Sequence, residues 1–522
     1  MIRSFLVALA LSLLPVGAQA QTYVDRCRSD VEPGGMNLAT ALAVSRDIII
    51  DCPRGSSIRI TQGYRLPPGV SIEGQGTTLD AHGLQGTIFY VPQGDFSAQN
   101  LTIQNAKRWR SQLGRLASVL LVQGNATLED VELVANEAPV EVGGTVTVIR
   151  GAFLGNASTA LYARSEAIIR DTRFLGNGTG LVMRSGTVTK SVFSRNTNAG
   201  LRISHATDDV TITGATFTSN EGGGAVQLSQ RAGTEGVLIT IRRSRFENNV
   251  NTSGGGAITI YDSTATASSV ARPILMRMPP ARFLVAYSQF IRNQGTQAGA
   301  IEADLSYSDG LQVVGGIFVS NVSSSVGGAI AAKGRGMLVE HSLFRGNDAP
   351  RGAAIYADYP DGDSRWIVSN SLFAGNSTTD GGIIQANPVE LYNVTIARNT
   401  GIGVVSDFHG PASPATKLAN TIISENSTGN CRGVPRAAFE GSNLVFGIVD
   451  CGGASELDPM LDSMFVPALG SPVLAMGDID TCRSAPVSRN DIVFQSRATG
   501  DRCALGAFER PPHRRAPDIL ER

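Results

Sequence analysis

Three stretches of the chain, "AGAIEAD" (298–304), "GGAIAAK" (327–333) and "GAAIYAD" (352–358), share a small-small-apolar opening. Each then carries side chains at the same two offsets: Glu302, Ala331 and Tyr356 at the first, Asp304, Lys333 and Asp358 at the second. Carboxylates beside an amine and a phenol are the groups that acid–base chemistry on a carbohydrate requires, with Lys333 or Tyr356 moving the proton. Opposite charges on adjacent strands also make a salt-bridged, solvated face, which is the competing reading of the same residues. Carried toward the N-terminus, the alignment gathers Tyr162, Arg164, Arg184 and Arg202. There the arginines would pair with acidic sugars and Tyr162 would stack on a ring.

Other candidates are isolated. "AKRWRSQLGR" (106–115) sets Trp109 among Lys107, Arg108, Arg110 and Arg115, a sugar-stacking loop or a solvated one. "DYPDGDSR" holds Asp358, Asp361 and Asp363 around a glycine, which raises Ca²⁺. The alternating ligands and distant Glu of an EF-hand are missing, so an acidic turn is expected and no metal or cofactor. His82, His205, His341, His409 and His513 have no second histidine at metal spacing, and no Cys-x-x-Cys occurs. A formal net charge of −1 gives no electrostatic footprint for nucleic acid.

The elements that position these groups are written as a repeat. Phe-x-x-Asn recurs at 153, 174, 193, 217, 246, 290, 318, 344 and 373, mostly every 19 to 29 residues, and weaker copies follow at 396 and 423. About ten residues after many of them comes the small-small-apolar bend and a short alternating strand. A period in this range without helical periodicity predicts one solenoid turn per repeat, about fourteen coils, each strand pairing with its equivalent ~4.8 Å away. The phenylalanines should stack inside, and the asparagines should bridge neighbouring coils at a bend. Glycines let coils approach closely. Nine Asn-x-Ser/Thr matches, among them Asn156, Asn177 and Asn376, mostly fall on the bend asparagine and read as structure rather than glycosylation.

The paired FxxN and GGAI repeats resemble those of chlamydial polymorphic membrane proteins, and more broadly the right-handed parallel β-helices of the pectin-lyase-like superfamily, over about residues 48–450. The ending "LDPM…ALGSPVLAMGD…CALGAFE" resembles the C-terminal segment of choice-of-anchor Q proteins. The resemblance implies an all-β, single-stranded right-handed parallel β-helix. Enzymes of that superfamily act on acidic polysaccharides, but their boxes are missing here. "TDDV" (Asp208, Asp209) and "FHGP" (His409) stand without the NTD and RIK partners of polygalacturonases. The methylesterase, WIDH and DPHE boxes have no equivalents. The chain ends in "RPPHRRAPDILER", without the strands of the chlamydial membrane barrel.

The expected division is a signal peptide at 1–20, an N-terminal cap at 21–47, the β-helix at 48–450, a C-terminal cap at 451–510 and a tail at 511–522. The apolar stretch from Phe5 to Val16, ending in Ala18-Gln19-Ala20, reads as a secretory signal too short to span a bilayer. In an exported chain, Cys27, Cys52, Cys431, Cys451, Cys482 and Cys503 should pair as neighbours. Residues 37–46 read as a short helix N-capped by Asn37. Residues 262–283 break the period as a projecting loop or recognition element. The functional expectation is a secreted, cell-surface or periplasmic monomer that presents a binding surface to polysaccharide or cell-envelope glycan. A polysaccharide lyase or hydrolase is the alternative.

Overall fold

The computed structural model describes residues 21–107, 118–230, 236–262, 282–306, 308, 310–334, 336–358, 365–406, 416–448, 450–452, 455–497 and 501–509. Residues 1–20 with the expected signal, Trp109, most of the 262–283 insertion, Asp361, Asp363, His409, His513 and residues 510–522 lie outside them.

The chain winds into a right-handed parallel β-helix. One coil consists of Thr159–Ala163, Glu166–Arg170 and Arg173–Leu175, and Thr179–Met183 then begins the next. The first strand of each coil joins a fifteen-stranded parallel sheet. The other two strands form a 29-stranded sheet, a single sheet because Val70–Asp80, Phe96–Gln104 and Ala126–Val134 run through both positions without a break. Fifteen strands at ~4.8 Å give a shaft roughly 65–70 Å long.

Phe153, Phe174, Phe193, Phe217, Phe246, Phe290, Phe318, Phe344 and Phe373 form one internal stack, with ring centroids 4.6–4.8 Å apart and interplanar angles of 1–10°. The ring spacing equals the strand spacing, so a single rotamer repeated per coil gives continuous aromatic contact. Leu133 pairs with Phe153 at one end of the row and Ile396 with Phe373 at the other.

Three residues after each phenylalanine the chain turns, and the asparagine there is buried. Asn156 N–H donates to Asn177 Oδ1 at 3.0 Å, while Asn177 Nδ2 donates to Phe153 O at 2.9 Å. The pattern repeats through Asn196, Asn220, Asn249, Asn293, Asn321, Asn347, Asn376 and Asn399. Each amide thus satisfies two backbone groups of the preceding coil that would otherwise be orphaned in the interior. Buried in this way, Asn156, Asn177 and Asn376 cannot accept glycans in the folded chain. The residue before the asparagine is left-handed, which explains the "GN" of many repeats: Gly176 has φ 65°, and where Arg195 replaces glycine φ is 54°. A second ladder sits two residues before the phenylalanine. Ser342 Oγ accepts from Gly316 N and Ser371 Oγ from Ser342 N, both at 3.1 Å.

The N-terminal end is closed by the helix Leu38–Val44, whose N-cap Asn37 accepts from Thr40 N at 2.9 Å, and by the Cys27–Cys52 disulfide. Leu38, Ala41 and Leu42 of that helix are buried against the first coil. At the other end Cys431–Cys451 pins the last coil, with Ala438, Val434 and Phe439 packed on the core.

Residues 455–497 and 501–509 then turn back along the flank as a strap, which contains the Cys482–Cys503 disulfide. Strap residues Val466, Ile492 and Phe508 cover Leu343, Leu372 and Ala374, while Leu461, Val473 and Leu505 cover Ala397, Ile422 and Leu444. Four corner residues in left-handed conformation on successive coils, His341, Asn370, Asn393 and Asn420, hold it. Asn370 Nδ2 donates to Val487 O at 3.1 Å, Asn393 Nδ2 to Ala504 O at 3.2 Å and Asn420 Nδ2 to Asp478 O at 2.9 Å, and His341 Nδ1 lies 2.8 Å from Asp491 O. Within the strap, the fully buried Arg497 donates to Gly506 O, Ala507 O and Asn490 O and pairs with Glu509. Glu509 also accepts from Ala504 N, which gives the "GAFE" ending a structural role.

Candidate functional site

The outer face of the fifteen-stranded sheet carries the aligned residues. Its register runs Tyr162, Val182, Arg202, Gln227, Thr259, Glu302, Ala331, Tyr356, Gln385, one residue per coil. A second row, two residues further along each strand, includes Ser204, Ser229 and Tyr261 in one register block and Asp304, Lys333 and Asp358 in another.

The two rows differ in access. Much of the first row is covered: Thr259 is 0% exposed and Gln385 7%. The cover is the small-residue bend of each coil, which crosses over the outward side chains. A Cβ on Gly327 would lie 2.7 Å from Ala331 Cβ, one on Gly352 2.6 Å from Tyr356 Cβ, and one on Gly254 2.8 Å from Thr259 Oγ1. The recurring glycines are therefore needed where the bend lies against the sheet, because real Cβ atoms do not approach so closely. The second row stays open, with Tyr261 38% exposed and Lys333 and Asp358 exposed.

The sequence cluster around Lys333 is brought together. Lys333 Nζ pairs with Asp304 Oδ2 at 3.0 Å, and Ser306 Oγ donates to Asp304 Oδ1 at 2.7 Å. An ion pair this exposed contributes little to stability, about 0–1 kcal/mol. Tyr356 is half-buried, and burial followed by the nearby Asp358 carboxylate raises its phenol pKa. The Arg351 guanidinium lies 5.6 Å from the Tyr356 ring centre, a contact the sequence reading missed; the only signal was an arginine just before the "GAAI" bend.

Glu302 is the unusual group. Its carboxyl lies under the Gly254–Gly255 bend, and Oε2 is buried with no hydrogen-bond partner among the described residues. Burial pushes its pKa up to about 7, against the Gly255 amide and Lys333, which favour the ionised form, while Asp304 adds to the rise. Tyr261 on the preceding coil is raised by burial and then by Glu302. This face can donate and accept hydrogen bonds, offer an aromatic edge and hold a proton near neutrality.

The N-terminal group is more dispersed in chemistry. Arg164 pairs with Glu141, and Arg202 Nε donates to Gln227 Oε1 at 2.9 Å. Arg184 is exposed, and Tyr162 sits half-buried between Glu141 and Val182 in register. Of the other residues singled out, Asp209 Oδ1 accepts from Leu238 N at 2.7 Å and serves the coil, and His341 serves the strap. Among the described residues, Cys431, Asp450 and Cys451 form the one metal-like grouping, and both cysteines are disulfide-bonded.

Residues 86–264 match a family described as the right-handed beta helix region. Among solved structures the chain is similar to the pectate lyase Pel9A, at 11% identity over 94% of this chain and 98% of that one, with a TM-score of 0.26. No curated protein matches it. Among the described residues no helix is long and apolar enough to cross a membrane.

Proposed function

We propose that this chain is an exported β-helix, adhesin-like or structural, that binds a polysaccharide or cell-envelope glycan on the outer face of its fifteen-stranded sheet. The observation that carries the reading is the open second row, in which Tyr261, Asp304, Lys333 and Asp358 stand on four successive coils beside Tyr356. A linear glycan laid along the shaft meets a hydrogen-bonding group at every ~4.8 Å step and an aromatic surface at intervals. Three neighbour-paired disulfides and the N-terminal signal pattern support export, to a cell surface, the medium or the periplasm. The resemblance of the repeats to chlamydial surface proteins, and of the ending to choice-of-anchor Q proteins, points the same way.

The test is a glycan array read with two double variants, Lys333→Ala with Tyr356→Phe and Arg164→Ala with Arg184→Ala, alongside thermal melts. Loss of binding in the first pair with native melting supports this face. Loss confined to the second moves the site to the arginine group, and unchanged binding in both rejects the surface.

One observation favours a second reading, a lyase or hydrolase. Glu302 holds a proton near neutrality beside the ion-paired Asp304, an arrangement that separates an acid from a base. Unsaturated products or new reducing ends from any acidic polysaccharide would establish it.

A further inference from the structure

The residue that follows the second strand of each coil sits at a left-handed corner, and these residues form a line along the shaft that includes Asp171, Lys190, Gly214, Arg243 and Tyr287. The strap covers the line from His341 to Asn420, and its reach ends where the Phe494 ring lies 6.1 Å from Tyr287. On the next four coils toward the N-terminus the line is open, and Asp171, Lys190, Gly214 and Arg243 are all exposed. Directly beside it runs the register Arg170, Thr189, Thr213, Arg242, the last residue of each of the same four strands. Arg170 and Arg242 are exposed as well.

The charges here are not matched in place. Arg170 Nε lies 3.6 Å from Asp171 Oδ2, whereas Lys190, Arg242 and Arg243 have no ion-pair partner among the described residues. Three exposed arginines elsewhere on the shaft show the contrast: Arg150 pairs with Glu129 and Asp130, Arg292 with Glu247 and Arg398 with Glu425. The Lys190 stem leans over Gly214, its Cγ 3.9 Å from where a Cβ would stand, so the gap in the line is where the lysine reaches toward Arg243. Like charges on neighbouring strands repel, so the arrangement stabilises nothing in the fold and is relieved by an anion.

We propose that this open corner is a second binding surface, which takes a linear sugar chain carrying carboxylate or sulfate groups. It goes beyond the glycan reading of the fifteen-stranded sheet and stands without it, since the two surfaces share no residue. A chain laid along the shaft meets a cation on three of the four coils, over about 14 Å at ~4.8 Å per coil. Arg170, Arg242 and Arg243 each offer the planar fork that pairs with such an anion through two N–H bonds. Thr189 and Thr213 set hydroxyls between the cations, where sugar hydroxyls need partners. A lipid surface would meet the charges and leave those hydroxyls unused.

Binding of polygalacturonate and of dextran sulfate at low ionic strength tests the surface. The corner variant combines Lys190→Asn, Arg242→Gln and Arg243→Asn, with asparagine at the corners because it tolerates the left-handed backbone. A control variant, Arg46→Gln with Arg54→Gln and Arg59→Gln, removes the same charge from exposed positions near the N-terminal end. The native chain should bind at least one polymer, and the one it binds tells carboxylate from sulfate. Affinity should fall at least tenfold in the corner variant, stay within twofold in the control and weaken as salt is raised. Methyl-esterified polygalacturonate and unmodified dextran keep the chains without the charge and should bind the native protein no better than the charged polymers bind the corner variant. The corner variant should melt no lower than the native chain. No binding of either polymer, equal losses in the two variants, or equal binding of charged and uncharged chains overturns the proposal. Corner-dependent binding to phosphatidylglycerol vesicles with none to either polymer makes the partner a lipid surface and overturns it too. A corner variant that melts well below the native chain gives the cations a structural role, with the same consequence.

Discussion

Asn249 Nδ2 donates to Phe217 O at 3.0 Å, and the Asn249 side-chain oxygen Oδ1 accepts from Asn220 N at 3.0 Å, so one side chain ties its own coil to the preceding one through the two residue types that the sequence repeats. Asn249→Ala strands both groups in an interior where water cannot replace the lost bonds. The expected loss is about 2–6 kcal/mol, at roughly 1–3 kcal/mol for each of the two orphaned buried groups. Urea unfolding monitored by circular dichroism measures it; a change under 1 kcal/mol would show that the ladder is not what holds the bend.

The phenylalanine stack predicts a graded response. Phe290→Ala opens a cavity between Phe246 and Phe318, which flank it at 4.8 Å, and should cost about 3–5 kcal/mol. Phe290→Leu should cost much less, since Leu133 and Ile396 already continue the row at its ends. Equal losses in the two variants would place the energy in aromatic stacking itself and not in filled volume.

The strap predicts a local failure. Arg497→Met removes the buried Arg497–Glu509 ion pair and the donors to Gly506 O and Ala507 O. Breaking a buried pair in this way costs about 3–5 kcal/mol. Limited proteolysis should cut within 455–509 while the β-sheet circular dichroism of the shaft persists; cleavage spread through the shaft would show that the strap is part of one cooperative unit.

The carboxyl at Glu302 predicts the direction of a pH effect. Its folded pKa, about 7, lies above the ordinary value of 4.5, so its contribution to stability is fully present below pH 4.5, declines as pH rises and is lost through pH 7. Glu302→Gln should therefore melt higher than the native chain at pH 8, with the gap narrowing toward pH 5. His341 acts oppositely: burial lowers its pKa, so its contribution is present above the ordinary 6.5 and lost as pH falls. The comparison between the two proteins isolates Glu302. A gap that does not change with pH would mean that Glu302 ionises freely.

Much of this molecule is written in its sequence because a solenoid repeats its contacts. Phe153 to Phe373 and their asparagines mark coil, interior and bend, and the small-residue bend fixes the register that aligns Glu302 with Tyr356 and Asp304 with Asp358. Cysteine pairing followed from proximity along the chain. The covering of the first outward row was not legible, since nothing local distinguishes a glycine that permits a turn from one that must lie against Thr259 or Ala331. The strap was hidden for a different reason. Its contacts join Asn370 to Val487 and Asn393 to Ala504, more than a hundred residues apart, with no periodicity to reveal them. The serine ladder was readable as Ser-x-Phe-x-x-Asn at 244, 288, 342 and 371, but its meaning depends on seeing each hydroxyl accept from the neighbouring coil.

The central claim is that glycan lies along the open row of the fifteen-stranded sheet, and oxidative footprinting with the best-binding glycan of the array tests it most directly. Hydroxyl-radical labelling of the native chain with and without that glycan, read by mass spectrometry, is predicted to show Tyr261 and Tyr356 protected by the ligand while Tyr162 and the exposed Tyr287, which follows the strand Arg282–Ala286 of the 29-stranded sheet, label unchanged. Protection at Tyr162, or a bound glycan that shields neither Tyr261 nor Tyr356, would contradict the account.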